Sequence, residues 1–462
     1  LAGIGEPPNR CEIAPVFAHP RRLLHLFALL TWFVGTPLLG ASQPYPPLPL
    51  DDSVTVHGMT INLQAPPRGL VVRKAIGLLT HETLDGQIVH RAAGKDHVFE
   101  TRAVITPRGD LLLMFPEGGH YSGCQGKKNN QLLAYRSSDH GRSWQGPTVA
   151  FSIDYSQHGF IPLIPRGSKR IYAFGTQPIP GKYDWRRGGQ ENAPIGFRWS
   201  DDDGHTWSDV QLIAPVNDPG FLGMSVMRMC ETTSGAWLLG SHNGDWSVKP
   251  LATRQYLLRS EDQGRTWHVL PDKRPGGWFV AGFGRMDEGR PIALSHGRVL
   301  AMFRTPEGHL WTARSEDDGQ TWSRPAPSPL VHPDAPPMLF HLSDGKTLVA
   351  FHHNRHAQTT YTGLNAKMEG MRDRSEIWLS TSQDEGHTWS EPRFLLANAA
   401  QPDLPNAWFN DQCSYLDAVI DAGQVHLFMP HRWQQVLDLT IAEASLSALP
   451  TARQLHNHLE PR

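Results

Sequence analysis

Cysteine is nearly missing from this chain of 462 residues: four occur, at positions 11, 124, 230 and 413. Their spacing fits no zinc-ligand pattern, and no H-E-x-x-H signature is present, so no catalytic metal or other cofactor is expected. One disulfide with a spare thiol fits the count; buried, unpaired thiols fit it better. An excess of either charge is missing too. With 43 basic and 45 acidic residues, the chain makes no electrostatic case for nucleic acid or an anionic membrane surface. Long apolar runs are scarce. The run RRLLHLFALLTWFVGTPLLGAS at 21–42 is short and interrupted by Pro37 and Gly40, which argues against a stable membrane anchor. Two arginines, an apolar stretch and the end Leu39-Gly40-Ala41 form the pattern of a secretory signal, cut after Ala41. A secreted or periplasmic location follows as an expectation. Residues 1–42 are read as upstream segment and signal, 43–70 as an extension, 71–450 as the folded unit and 451–462 as a tail.

What is abundant points one way. The 43 glycines, 38 prolines and 15 tryptophans suit many short strands joined by tight turns rather than long helices. One turn is written five times: SSDHGRSW at 137–144, SDDDGHTW at 200–207, SEDQGRTW at 260–267, SEDDGQTW at 315–322 and SQDEGHTW at 382–389. The repeat aspartates Asp139, Asp202, Asp262, Asp317 and Asp384 are spaced by 63, 60, 55 and 67 residues, enough for four short strands each. A short apolar run with strand character precedes every copy. Within the turn, the Asp carboxylate can accept exposed backbone N–H groups and Gly supplies a positive φ. The Thr or Ser hydroxyl closes another bond, and Trp plugs the space between strands. The repeat is therefore structural, not catalytic.

Ser-x-Asp-x-Gly-x-Thr-Trp resembles the Asp box of sialidases and related propellers. The resemblance implies an all-β fold, a six-bladed β-propeller of four-stranded antiparallel blades, the sixth made from 410–446. It also implies that an N-terminal strand closes the last blade, for which VVRKAIGLL at 71–79 is the candidate; a seventh blade from 50–95 is the alternative. In that family the catalytic groups lie at the channel end away from the boxes. Four motifs resemble the family's site: FETRAVITPRG with Arg102, DEGRPIALSHGRVLAMFRT with Glu288 and Arg304, RSEIWLST with Arg374, and CSYLDAVI with Tyr415. The implied roles are a carboxylate grip for Arg102, Arg304 and Arg374, a nucleophile for Tyr415 and its base for Glu288. Such a set makes chemical sense: guanidiniums hold a carboxylate by charge-assisted bonds, and a neutral tyrosine, activated by a carboxylate, attacks an anionic sugar with little repulsion.

One departure stands out. The loop 118–131 contains no carboxylate where sialidases carry their acid, so Glu117 or His120 is the substitute. Loops rich in His and Trp, with His158, His242, Trp246 and Trp408, look suited to sugar rings and hydroxyls. The expectation is a secreted sialidase-like glycoside hydrolase acting on terminal acidic sugars of a glycan or polysaccharide. Two alternatives stay open. One is a histidine-dependent rhamnosidase or lyase on uronate-containing polysaccharide; the other is a glycan-binding propeller without catalysis.

Overall fold

A computed structural model describes residues 53–56, 59–62, 70–73, 78–94, 96–118, 130–153, 159–177, 192–245, 247–248, 251–271, 276–353, 374, 376–398, 413–451 and 453–454. They form six antiparallel blades around a channel. Blade one holds Arg102–Ile105, Leu111–Gly118, Asn130–Ser137 and Gln145–Ile153, with His97–Val98 added beside its inner strand. Blades two to five begin with the inner strands Ile161–Leu163, Met229–Glu231, Asp287–Ala293 and Met338–His341. Blade six is Asp417–Asp421, Gln424–His431, Gln435–Ala442 and, as its outer strand, Asp85–Arg91.

The latch is thus not the segment at 71–79. Asp85–Arg91 pairs with Gln435–Ala442 and leads directly into blade one, so the ring closes with little intervening chain. Leu70–Arg73 and Leu78–His81 extend the outer edge of blade five instead. There Leu78 is fully buried in the apolar cluster shared by blades five and six, which also holds Leu395 and Leu396. An apolar edge residue gains more in that seam than a half-exposed closing strand offers, which explains the exchange. Ahead of these strands, Ser53–Val56 and Met59–Asn62 pair only with each other among the described residues, and no seventh blade forms there from 50–95.

The repeated turns behave as their chemistry requires. In the second copy Asp202 accepts the Thr206 N–H at 2.8 Å and its hydroxyl at 2.6 Å, while the Ser200 hydroxyl accepts the Gly204 N–H at 2.7 Å. Gly204 has φ +86°. The residue before the glycine is also left-handed: His140, Asp203, Gln263, Asp318 and Glu385 have φ between 58° and 63°. These turns do a second job that the repeat alone did not announce. Arg136 donates to the carbonyl of Asp203, Arg259 Nε to that of Asp318 at 3.1 Å, and Arg314 Nη1 to that of Glu385 at 2.9 Å. Each arginine immediately precedes the serine of one turn and clasps the turn of the next blade. Blade two has Trp199 at that position, and Arg170 stacks on its ring at 5.3 Å.

Candidate active site

The five turns follow the third strand of blades one to five, so they share one end of the propeller. Glu288 near the start of an inner strand, Arg304 at the end of the adjoining strand, and Tyr415 just before the inner strand of blade six therefore meet at the opposite end. The Tyr415 hydroxyl donates to Glu288 Oε1 at 3.0 Å, and Arg304 Nη1 donates to Glu288 Oε2 at 2.7 Å and to the Tyr415 oxygen at 3.2 Å. The Arg374 guanidinium lies 5.6 Å from the centre of the Tyr415 ring. Both Glu288 and Tyr415 have positive φ, 51° and 62°. Two side-chain-bearing residues held in the left-handed region cost about 1–3 kcal/mol each, and such strain concentrates where geometry serves a function.

A carboxylate that the sequence reading missed organises the arginines. Asp334 accepts Arg304 Nε at 2.6 Å and Arg285 Nη1 at 2.9 Å, and its carbonyl accepts Arg374 Nη2 at 2.6 Å. Arg374 Nη1 reaches the Ser414 hydroxyl at 3.1 Å. Burial works against both charges, but Arg285 and Arg304 hold the Asp334 carboxyl below its ordinary range. Arg304 is likewise buried, yet Asp334 and Glu288 keep it charged well above the usual guanidinium value. Burial and the charge of Glu288 raise the Tyr415 pKa, opposed by Arg304 and Arg374. Tyr415 is therefore neutral at rest and needs a proton acceptor to react; Glu288 is in contact to accept that proton.

Not every residue singled out from sequence lies open to a ligand. Arg102 is fully buried, donating to Glu100 at 2.6 Å and to the Thr101 carbonyl at 2.7 Å. It borders the site through Thr101, whose hydroxyl donates to the Phe428 carbonyl at 2.7 Å and lies 3.4 Å from the Tyr415 carbonyl. Arg304 and Arg374 retain 8% and 7% exposure, and they flank Tyr415. His242 is 2% exposed and its Nδ1 accepts the Glu288 N–H at 3.4 Å, a support for the strained residue. Glu117 is bonded to His90, whose other ring nitrogen lies 2.9 Å from the Tyr135 hydroxyl, in the seam between blades one and six. His120, His158, Trp246 and Trp408 lie outside the described residues. Cys230 is a free thiol, and burial pushes it up to about 12.

Comparison with known proteins agrees with this architecture. The family model described as a BNR repeat-like domain matches residues 168–427. A sialidase of Micromonospora viridifaciens is 27% identical over 319 residues, covering 62% of this chain and 44% of that protein. The chain thus spans less than half the length of that curated relative. A Hadza microbial sialidase is similar with a TM-score of 0.57 at 17% identity, over 79% of this chain and 69% of its own. A protein of unknown function from Dyadobacter fermentans has a TM-score of 0.57 at 17% identity, over 78% of this chain and 99% of its own. At these identities the solved structures establish a shared fold.

Proposed function

The chain belongs to the BNR repeat-like family of sialidase-type β-propellers, and on that premise we propose that it hydrolyses terminal acidic sugars of glycans. The observation that carries this reading is the contact between the Tyr415 hydroxyl and Glu288, crossed by Arg304. In the first step the Tyr415 oxygen bonds to the anomeric carbon, Glu288 takes the hydroxyl proton, and the aglycone leaves with the electron pair of the broken glycosidic bond. Water then attacks the anomeric carbon, giving its proton to the group that protonated the aglycone, while the bond to Tyr415 breaks and Glu288 returns its proton to the departing Tyr415 oxygen. Arg374 and the outer nitrogen of Arg304 hold the sugar carboxylate. Arg102, closed off behind Glu100, positions the Thr101–Tyr415 backbone in this reading rather than touching the sugar.

The leaving group's proton comes from Glu117 or His120 in this scheme. An aryl glycoside departs without protonation, so it is the substrate with which to begin. Release of the phenol from an aryl sialoside, and its loss in Tyr415→Phe, is the expected result. Saturable glycan binding with no product from any acidic glycoside would replace this proposal with a lectin-like role. An unsaturated uronate product absorbing in the ultraviolet would replace it with a lyase.

A further inference from the structure

Two residues beyond Glu288, on the same inner strand, Arg290 is 1% exposed. Its Nη2 makes one long contact, 3.5 Å to the Leu416 carbonyl, and among the described residues its Nε has no hydrogen-bond partner. The nearby carboxylates are committed elsewhere. Asp417 accepts Arg228 Nη1 at 2.5 Å and the Ala103 N–H at 3.0 Å. Glu100 accepts Arg102 Nη2 at 2.6 Å and the Gly159 N–H at 3.0 Å. Among the described residues, three guanidiniums therefore face two carboxylates. Burial, with Arg102 and Arg228 alongside, lowers the Arg290 pKa to about 9, which still leaves it charged at neutral pH. A buried charge without a counter-charge is strongly unfavourable.

A cavity is lined by both Arg290 and Tyr415. Arg290, Ser414, Tyr415, His332, His352 and His353 form its polar wall, and apolar side chains complete it. The room inside it is that of about one water-sized body, too little for a sugar ring. Burial keeps His332 well below its ordinary pKa and His352 down at about 4, so both are neutral and bring no rival charge. We propose that this cavity binds a small monovalent anion, chloride or another halide, as the counter-ion of Arg290. The apolar remainder of the wall suits a weakly hydrated ion over phosphate or sulfate. The cavity shares Ser414 and Tyr415 with the candidate active site, but neither Arg304 nor Arg374 lines it.

Two measurements test this. Crystals grown free of halide and soaked in sodium bromide should show an anomalous peak within hydrogen-bond reach of the Arg290 guanidinium. A peak only at Arg304 and Arg374, peaks confined to the surface, or none at all overturns the proposal. In solution, exchanging potassium gluconate for potassium chloride at constant ionic strength should raise the melting temperature of the wild type saturably, by about 2–4 °C. Arg290→Met should lose that dependence. An equal response in the variant, or none in the wild type, overturns the proposal. If Arg290→Met fails to fold, the bromide experiment on the wild type decides alone.

Discussion

The Tyr415 hydroxyl and the Glu288 carboxylate lie 3.0 Å apart, although 127 residues separate them in the chain. If that contact is the reactive pair, Tyr415→Phe should cut kcat on an aryl sialoside by at least about a thousandfold. Glu288→Gln should cut it by about a hundred- to ten-thousandfold, the usual span for losing a positioned base. Thermal melts should place Tyr415→Phe within a few degrees of wild type, since only one hydroxyl is removed. Undiminished turnover in Tyr415→Phe would retire the assignment.

Asp334 ties Arg285 and Arg304 together, and its backbone carbonyl takes Arg374. Asp334→Ala removes one carboxylate from two buried guanidiniums that keep Asp287 and Glu288, so urea denaturation should show a loss of about 1.5–3 kcal/mol. Asp334→Asn keeps the shape and should be milder. Its kinetic signature is a raised KM for an acidic substrate, because the arginines lose their mooring while Tyr415 and Glu288 stay. A normal KM in Asp334→Asn contradicts that role.

Blades three and four touch through backbone. A Cβ on Gly240 would sit 2.0 Å from the Gly289 carbonyl oxygen, and Gly289 follows Glu288 directly. Gly240→Ala should therefore destabilise by about 3 kcal/mol or more, and should lower activity by pushing the strand that carries Glu288. Gly282, whose Cβ would meet nothing within 4 Å, provides the control: Gly282→Ala should change the urea midpoint little. Equal effects of the two substitutions would disprove the steric account.

The clasps between blades can be removed one at a time. Arg259 donates to the Asp318 carbonyl at 3.1 Å and stands 3.5 Å from its carboxylate. Arg259→Met should cost about 1–3 kcal/mol, the range for hydrogen bonds from a charged group and for the acceptors left behind. Stopped-flow unfolding, compared with Arg142→Met in an exposed part of the first turn, isolates the clasp. Identical unfolding rates would argue against it.

Stability should fall on mild acidification. Burial holds His332 and His431 well below their ordinary pKa and His352 at about 4. Below pH 6.5 the unfolded chain binds protons on these rings that the folded chain refuses. Their contribution is therefore complete above pH 6.5 and is lost as the pH drops toward 4, by up to about 1.4 kcal/mol per unit for each ring. A second, lower window belongs to the turn aspartates. Hydrogen bonds from Ser143 and Ser137 lower Asp139 to about 2, so its contribution fades only as pH falls from near 4 toward that value. Urea midpoints at pH 7.5 and pH 5.0 should differ clearly, with the higher at pH 7.5.

The five turns were legible because each is a local device: serine, aspartate, glycine and threonine satisfy one another within eight positions. Tyr415, Glu288, Arg304 and Arg374 stood out through the resemblance of their motifs to those of sialidases, and the structure brings them together. Asp334 was not legible, since HPDAPP reads as an ordinary proline turn and its partners Arg285 and Arg304 are remote in sequence. The closing strand was misplaced for a related reason. DGQIVHR at 85–91 is too polar to stand out beside VVRKAIGLL, because an outer strand of the last blade shows one face to water.

Because the strand that seals the ring, Asp85–Arg91, precedes blades one to five and its partner Gln435–Ala442 follows them, the circle stays open until all of the blades have been made. Five blades' worth of chain must wait with a raw edge at both seams. A cell making this protein should therefore shelter the growing chain, and a release one blade short should yield material that sticks to its neighbours rather than a smaller working propeller.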